Sequence, residues 1–424
     1  MQLIAEQSAE YSVKHSGAAG RAGAVLTINL QALRYNYRFL QNKLGRARCG
    51  AAVKADAYGL GAVRVALALQ EEGCRDFFVA HLDEAIALRP HLLKDSMLYV
   101  MHGPPVGYEA EFLEHACTPV LNSLEQIAAW RRLAQAKQTS LLAFIQVDTG
   151  MSRMGLSTKE VNAWIADPSL TQGIAISHLM SHLACAEDQQ HPMNQQQLQT
   201  FKTLRAQLPA CAASLANSSG IFLGSDFHFN LARPGAALYG VAPVAGQANP
   251  LKAVALLQGK IIQIRDIPAG TGVGYSLTYR SQQPRKIATV AVGYADGWMR
   301  SLSNRGVAYI AGQPAPMVGN VSMDTITLDV SDIAPESLYP GAAVDLLSAT
   351  NTVDMVAKLA GTIGYEILTS LGQRYYREYT DAVSSGFSSS SLSIDSELQH
   401  QKSQHKVTSH SGTVNTDAIK GEAQ

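Results

Sequence analysis

Between Cys49 and about residue 250 the chain repeats one alternation eight times: a short apolar run with strand character, then a stretch whose apolar residues fall at helical spacing. The runs are "CGAAVKA", "DFFVAHL", "SMLYVMHG", "TPVLN", "LLAFIQVDTG", "AISHLMSHLA", "AASLANSS" and "HFNLARPGAALYG". Parallel strands covered by helices on both faces read as such near-continuous apolar runs. Eight successive β-then-α units point to a closed barrel rather than an open sheet. The expected fold is α/β, with an N-terminal (β/α)8 barrel. Ahead of it, "LTINLQALRYNYRFLQNKL" places Leu30, Leu33, Tyr37, Leu40 and Leu44 on one face of an amphipathic helix.

Barrels of this kind carry their chemistry at the C-terminal ends of the strands. Lys54 lies at the end of the first run, where burial of an ammonium is costly unless the charge is lost or paired. A lysine placed there suits a group that is neutral part of the time, as an imine-forming nucleophile or a base. Three further polar clusters fall at strand ends: "DTGMSRMG" (148–155), "SHLACAED" (181–188), and "ANSSG" with "RPGAALYG" (216–220 and 233–240). The last pair belongs to the seventh and eighth strands, where barrels hold phosphate with backbone N–H groups. A lysine facing a phosphate cradle suggests pyridoxal phosphate.

Past residue 250 the rhythm changes to β-rich segments broken by Gly and Pro, such as "KIATVAVGYADGW" and "GVAYIAGQPAPMVGNVSMDTITLDV", closed by two short helical patterns. The expected division is a flexible segment 1–23, the barrel 24–250, a mainly β domain 251–380, and a disordered polar tail 381–424. Formal net charge is zero and pI is about 7.2, which argues against nucleic acid or an anionic membrane as partner and for a small molecule. The five cysteines are scattered, without a C-x-x-C pair. That pattern suits reduced thiols in a cytoplasm and argues against a zinc site. Neither a secretory signal pattern nor a run of 18 apolar residues occurs, so neither secretion nor membrane insertion is expected.

Nine segments, in order and spread over both regions, carry a resemblance: "VKADAYGLG", "VDTGMSRMG", "SHLACAED", "ANSSG", "RPGAALYG", "VGYSLTY", "GYADGWMR", "VGNVSMD" and "GYEILTSLG". Each is weak alone. Together, the chain from residue 25 to about 379 resembles the alanine racemases, pyridoxal-phosphate enzymes with a (β/α)8 barrel and a C-terminal β domain that form D-alanine, a peptidoglycan precursor. The resemblance implies that Lys54 carries the cofactor as an imine and serves as one base. It implies that Tyr58, Ser218, Tyr365 and the backbone of Gly235 and Ala236 hold the phosphate, with Arg233 at the pyridine nitrogen. Arg153 would meet the phenolic oxygen and the substrate carboxylate, and His182 would lie with the cofactor. Tyr275 would be the second base, with Met323 and Asp324 beside the substrate, all from the partner subunit of a head-to-tail homodimer. No metal is implied.

Racemisation needs a proton removed on one face of the α-carbon and returned on the other, which two opposed bases do directly. A tyrosine with an ordinary pKa of about 10 needs nearby cations to serve near neutrality, and His182 and Arg153 are the candidates. Two positions depart from the family pattern. Gln146 stands where many members have a carbamylated lysine; its amide can still accept a hydrogen bond from Arg153 but brings no charge, so Arg153 is expected to carry an uncompensated positive charge. Asn320 stands where many have arginine. Serine or broad-specificity racemisation is the alternative, because an apolar wall excludes a hydroxyl poorly. A non-catalytic cofactor carrier would lack the β domain, and a decarboxylase of similar build would not pair "GYADGWMR" with "VGNVSMD".

Overall fold

The computed structural model describes residues 17–381; most of the expected flexible N-terminal segment, and the polar tail from 382, lie outside the described residues. Strand β1 (Ala24–Asn29) runs straight into the helix Leu30–Leu44, with the Asn29 side chain accepting from the Ala32 N–H at 2.9 Å. This is an N-cap, and it explains why the apolar run changes from extended to helical at Asn29. Leu30, Leu33, Tyr37, Leu40 and Leu44 are all buried, as their spacing predicts.

The apolar runs then appear as strands in the expected order. The first barrel strand is split at Gly50 into β2 (Arg48–Cys49) and β3 (Ala51–Ala52). There follow β4 (Asp76–Val79), β5 (Met97–Val100), β6 (Thr118–Leu121), β7 (Leu141–Gln146), β8 (Ile174–Met180), β9 (Ala212–Ser214) and β10 (Leu231–Ala232). β3 through β9 pair in sequence order, every pair parallel. β10 pairs with β2 in parallel. The N–H groups of Asn230 and Arg233 donate to the carbonyls of Ala213 and Ala216 at 3.0 and 2.9 Å, joining β10 to β9 and closing the ring.

Gly50 is required at the split. A Cβ there would stand 2.9 Å from the Phe78 ring and 3.0 Å from the Asp76 carbonyl, so any side chain would force neighbouring strands apart. Inside the ring, Ala52, Phe78, Tyr99, Val120, Phe144, Met180 and Leu231 form one cluster, drawn from strands all round the barrel. The barrel is therefore a packed core whose open chemistry is confined to its ends.

At the end opposite Lys54 lies a buried polar group. Asp76 accepts from Tyr99 at 3.1 Å and pairs with Arg48 at 3.1 Å, while Arg48 Nη2 lies 3.2 Å from His178 Nε2. Burial, with Arg48 and Arg233 nearby, lowers His178 to about 4. The folded imidazole is thus neutral at a pH where an unfolded chain protonates it. Stability is full above about 6.5 and is lost as pH falls from there toward 4, by roughly 1–3 kcal/mol after discounting for solvent. Thermal melts at pH 7 and pH 4.5 are expected to differ by more in the native protein than in His178→Asn.

The second region is a mainly antiparallel β assembly. Its strands are β11 (Ala255–Ile267), β12 (Gly272–Val273), β13 (Tyr279–Arg280), β14 (Arg285–Val290), β15 (Val307–Ile310), β16 (Gln313–Pro316), β17 (Ile326–Asp329), β18 (Ala343–Leu347) and β19 (Tyr376–Thr380). β1, grouped with the barrel in the sequence reading, pairs instead with β11 (antiparallel) and β19 (parallel), so the two regions share the chain's first described strand. Helices Val353–Ala360 and Gly364–Ser370 close the region, as expected. Among the described residues no helix is long and apolar enough to cross a membrane.

Candidate active site

Lys54 follows β3 directly and begins a turn of unusual hand. Ala55, Asp56, Ala57 and Tyr58 all have left-handed backbone conformations, with φ between 51° and 56°. Each costs an L-residue roughly 1 kcal/mol or more, so the turn persists only because its surroundings hold it. Asp56 accepts from the Ala62 N–H at 2.7 Å, Glu84 accepts from the Ala55 N–H at 2.6 Å, and Arg377 donates to the Gly59 carbonyl at 2.5 Å. The Tyr58 ring packs on Tyr239 at 4.8 Å and meets the edge of Tyr365 at 6.2 Å. Residues from the second region thus brace the turn that presents Lys54 and Tyr58.

Beside Tyr58 the ends of the seventh and eighth strands bring a serine hydroxyl and backbone N–H groups together, a cradle of a kind that can take an anion. Ser218 Oγ accepts from the N–H groups of Gly235 and Ala237 at 2.9 and 3.1 Å, which leaves its own hydrogen to donate outward. The Ala236 N–H, at the start of a short 3-10 turn, meets no acceptor among the described residues. A Cβ on Gly235 would collide with the Tyr58 hydroxyl, so glycine is what allows the phenol to close on this backbone. Burial raises the pKa of both Tyr58 and Tyr365, and Glu187 and Asp354 add to the latter. Both phenols therefore stay protonated and able to donate.

Arg233 is buried with no carboxylate against it among the described residues. Its guanidinium donates to the Ser214 hydroxyl and to the Ser181 carbonyl (2.7 Å), and lies 3.4 Å from His182 Nδ1. Burial pulls its pKa down to about 9, still cationic near neutrality. His182 is held well below its usual value by burial, then by Arg233, Arg153 and Lys54. It is therefore neutral, which corrects the expectation that it lends positive charge to a tyrosine. Lys54 is lowered by burial and by Arg153, with Glu84 opposing.

The Gln146 amide donates to the Met154 carbonyl at 3.2 Å, and Arg153 has no hydrogen-bond partner among the described residues. The glutamine shapes the loop that carries Arg153 rather than binding the guanidinium.

Tyr275, Met323 and Asp324 form a separate group on the β domain. Tyr275 is 71% and Met323 53% exposed. Asn320 donates to the Tyr275 carbonyl at 2.9 Å, so this family departure anchors the Tyr275 turn. The Ser322 and Met323 carbonyls accept from Tyr294 and Ala295. Arg374 grips Asp296 with two bonds, at 2.6 and 2.8 Å, and Asp324 with one at 2.7 Å. Sequence reasoning missed Glu84 and Arg374. Glu84 carried a faint signal, since it completes a capping box with His81; Arg374 carried none.

The chain matches the description "Alanine racemase, N-terminal domain" over residues 28–243 and "Alanine racemase, C-terminal domain" over 254–379. It is 49% identical over 358 residues to a protein of Mesorhizobium japonicum named catabolic alanine racemase, covering 84% of this chain and 93% of that one. An alanine racemase of Rhodospirillum rubrum is 47% identical over 364 residues, covering 86% and 97%. The crystal structure of alanine racemase from Bartonella henselae, with covalently bound pyridoxal phosphate, superposes with a TM-score of 0.82 at 44% identity, covering 85% of this chain and all of that one. With both halves of the fold matched, and the lysine turn, anion cradle and exposed tyrosine group in place, the chain belongs to the alanine racemase family.

Proposed function

We propose that the protein interconverts L- and D-alanine with pyridoxal phosphate as cofactor, as a homodimer whose sites each draw residues from both subunits. The observation that carries this reading is the separation of two sets of groups in one chain. Lys54, Arg233 and the anion cradle lie at the barrel end, while Tyr275 stands exposed on the β domain. A second copy set head to tail brings each Tyr275 to the other's Lys54. Leu277, Tyr294 and Met323, also exposed, supply apolar surface around it for that contact.

The barrel-end residues fit the cofactor. A phosphate finds the unbonded Ala236 N–H and the hydroxyls of Ser218, Tyr58 and Tyr365. Arg233 would hold the pyridine nitrogen and Arg153 the phenolic oxygen, with His182 Nδ1 3.4 Å from the Arg233 guanidinium to keep it in place. Lys54, its amine easier to deprotonate than an exposed lysine's, is suited to hold an aldehyde covalently.

When bound, pyridoxal phosphate supplies the electron sink without which an amino-acid α-proton is too weakly acidic to remove. Lys54 Nζ takes or returns the proton on one face and Tyr275 Oη, from the second copy, on the other; the enantiomer consumed decides which acts as base. Arg153 binds the substrate carboxylate, with Met323 and Asp324 of the second copy lining the pocket. Arg233, an arginine rather than a carboxylate at the pyridine nitrogen, would favour return of the α-proton over transamination. The division of the chain near residue 250 and a cytoplasmic location belong to the same reading; the five free cysteines suit a reducing compartment.

A panel of L-amino acids incubated with the holoenzyme tests the substrate. D-Alanine is expected to form fastest, with serine slower by up to about a hundredfold. Faster turnover of serine would make the protein a serine racemase.

A further inference from the structure

The strained turn after Lys54 is tied down by a carboxylate from a different barrel unit. Glu84 sits in the first turn of helix Leu82–Leu88, and both its oxygens are engaged. Oε1 accepts from the Ala55 N–H at 2.6 Å. Oε2 accepts from the N–H groups of Ala80 and His81 at 2.7 and 3.1 Å. Ala55 is both the residue after Lys54 and the first of the four left-handed residues. One side chain therefore joins the point where the backbone departs from its preferred hand to the helix N-terminus beyond the second barrel strand.

We propose that Glu84 is a positioning residue for Lys54: its carboxylate pins the left-handed turn through Ala55, and its negative charge acts on the lysine amine from beyond ion-pair distance. This rests on the reading of Lys54 as cofactor lysine and base. The other titratable groups around that amine are Arg153, His182 and His102, with His81 edge-on to His102 at 4.5 Å; none of these carries negative charge. Burial and Arg153 lower the Lys54 pKa and Glu84 pulls it up. Without Glu84 the lysine would lose its proton more readily, and so return it less readily in the half of the cycle where it acts as acid. The clamp and the charge thus serve one end, a fixed amine able both to give and to take a proton.

The test measures Lys54 itself in cofactor-free protein. Reductive methylation with formaldehyde and cyanoborohydride proceeds through the neutral amine, and peptide mass spectrometry follows Lys54 as pH is varied. Glu84→Gln keeps an acceptor oxygen for the turn and removes the charge. Its Lys54 labelling curve is expected to move to lower pH, with labelling on the acid side at least about threefold faster than in the native protein. The acid limb of kcat in the holoenzyme, which reports the amine once substrate has freed it, should move the same way. Glu84→Asp, which keeps the charge but shortens the reach to Ala55, should shift the curve in the same direction by less, and serves if the glutamine variant does not fold. Curves that superpose on the native one, with only the melting temperature lowered, would reduce Glu84 to a helix cap and overturn the proposal. The underlying reading fails separately: added pyridoxal phosphate should shield Lys54 of the native protein from methylation, and a Lys54 that stays open to the reagent would show that the cofactor is held elsewhere.

Discussion

Lys54→Ala is expected to lower racemisation by at least about 10⁴-fold, since it removes the point of covalent attachment and one of the two bases together. The fold should survive. Lys54 lies at the end of a strand, outside the apolar cluster that fills the barrel, and the turn behind it is held by Glu84, Asp56, Tyr239 and Arg377 rather than by the lysine. Borohydride treatment of the native holoprotein should fix the cofactor on Lys54, and the variant should take up no reducible cofactor. Recovery of the label on another lysine would contradict the assignment of this strand end as the cofactor site.

Tyr275→Phe is expected to cost about 10²–10⁴-fold in both directions while cofactor attachment is unchanged, because the phenol is exposed and holds nothing in its own subunit together. The larger effect appears on mixing. In a hybrid of Lys54→Ala with Tyr275→Phe, one site holds both defects and the other holds a native Lys54 facing a native Tyr275. An equal mixture of the two inactive proteins, allowed to exchange subunits, should recover roughly a quarter of native activity. Hybrids demonstrated by mass but without any recovery would mean that each site is built from one chain, and the exposed position of Tyr275 would then need another explanation.

How much of this was legible in the sequence depended on whether local pattern or distant packing decided each feature. The barrel was readable because strands buried on both faces must be apolar throughout, and "DFFV", "MLYV" and "LLAFIQ" are. β1 was not, since "AVLTIN" runs directly into a helix, its last residue Asn29 being the helix N-cap, and its partners lie more than 200 residues away. The left-handed turn at Ala55–Tyr58 was invisible for a stronger reason. Ala-Asp-Ala-Tyr contains no glycine and favours the right-handed form, so its hand is decided by its surroundings, Glu84, Arg377, Tyr239 and the helix Gly364–Ser370 among them. At the site, Lys54, Ser218 and Arg233 could be found from their places at strand ends. Tyr275, Met323 and Asp324 could not: on an exposed loop they look like surface residues, and only the resemblance singled them out. Arg374 was hidden because its partners, Asp296 and Asp324, lie 78 and 50 residues earlier in the chain.

The central claim is that this chain racemises alanine by exchanging the α-proton on both faces. It is tested most directly by incubating the holoenzyme with each pure enantiomer of alanine in deuterium oxide and following optical configuration and α-deuterium together. Both incubations should converge on equal amounts of L- and D-alanine, with solvent deuterium at the α-carbon of the inverted product and the carboxylate retained. Ethylamine and carbon dioxide as products, or deuterium entering without any inversion, would contradict the account.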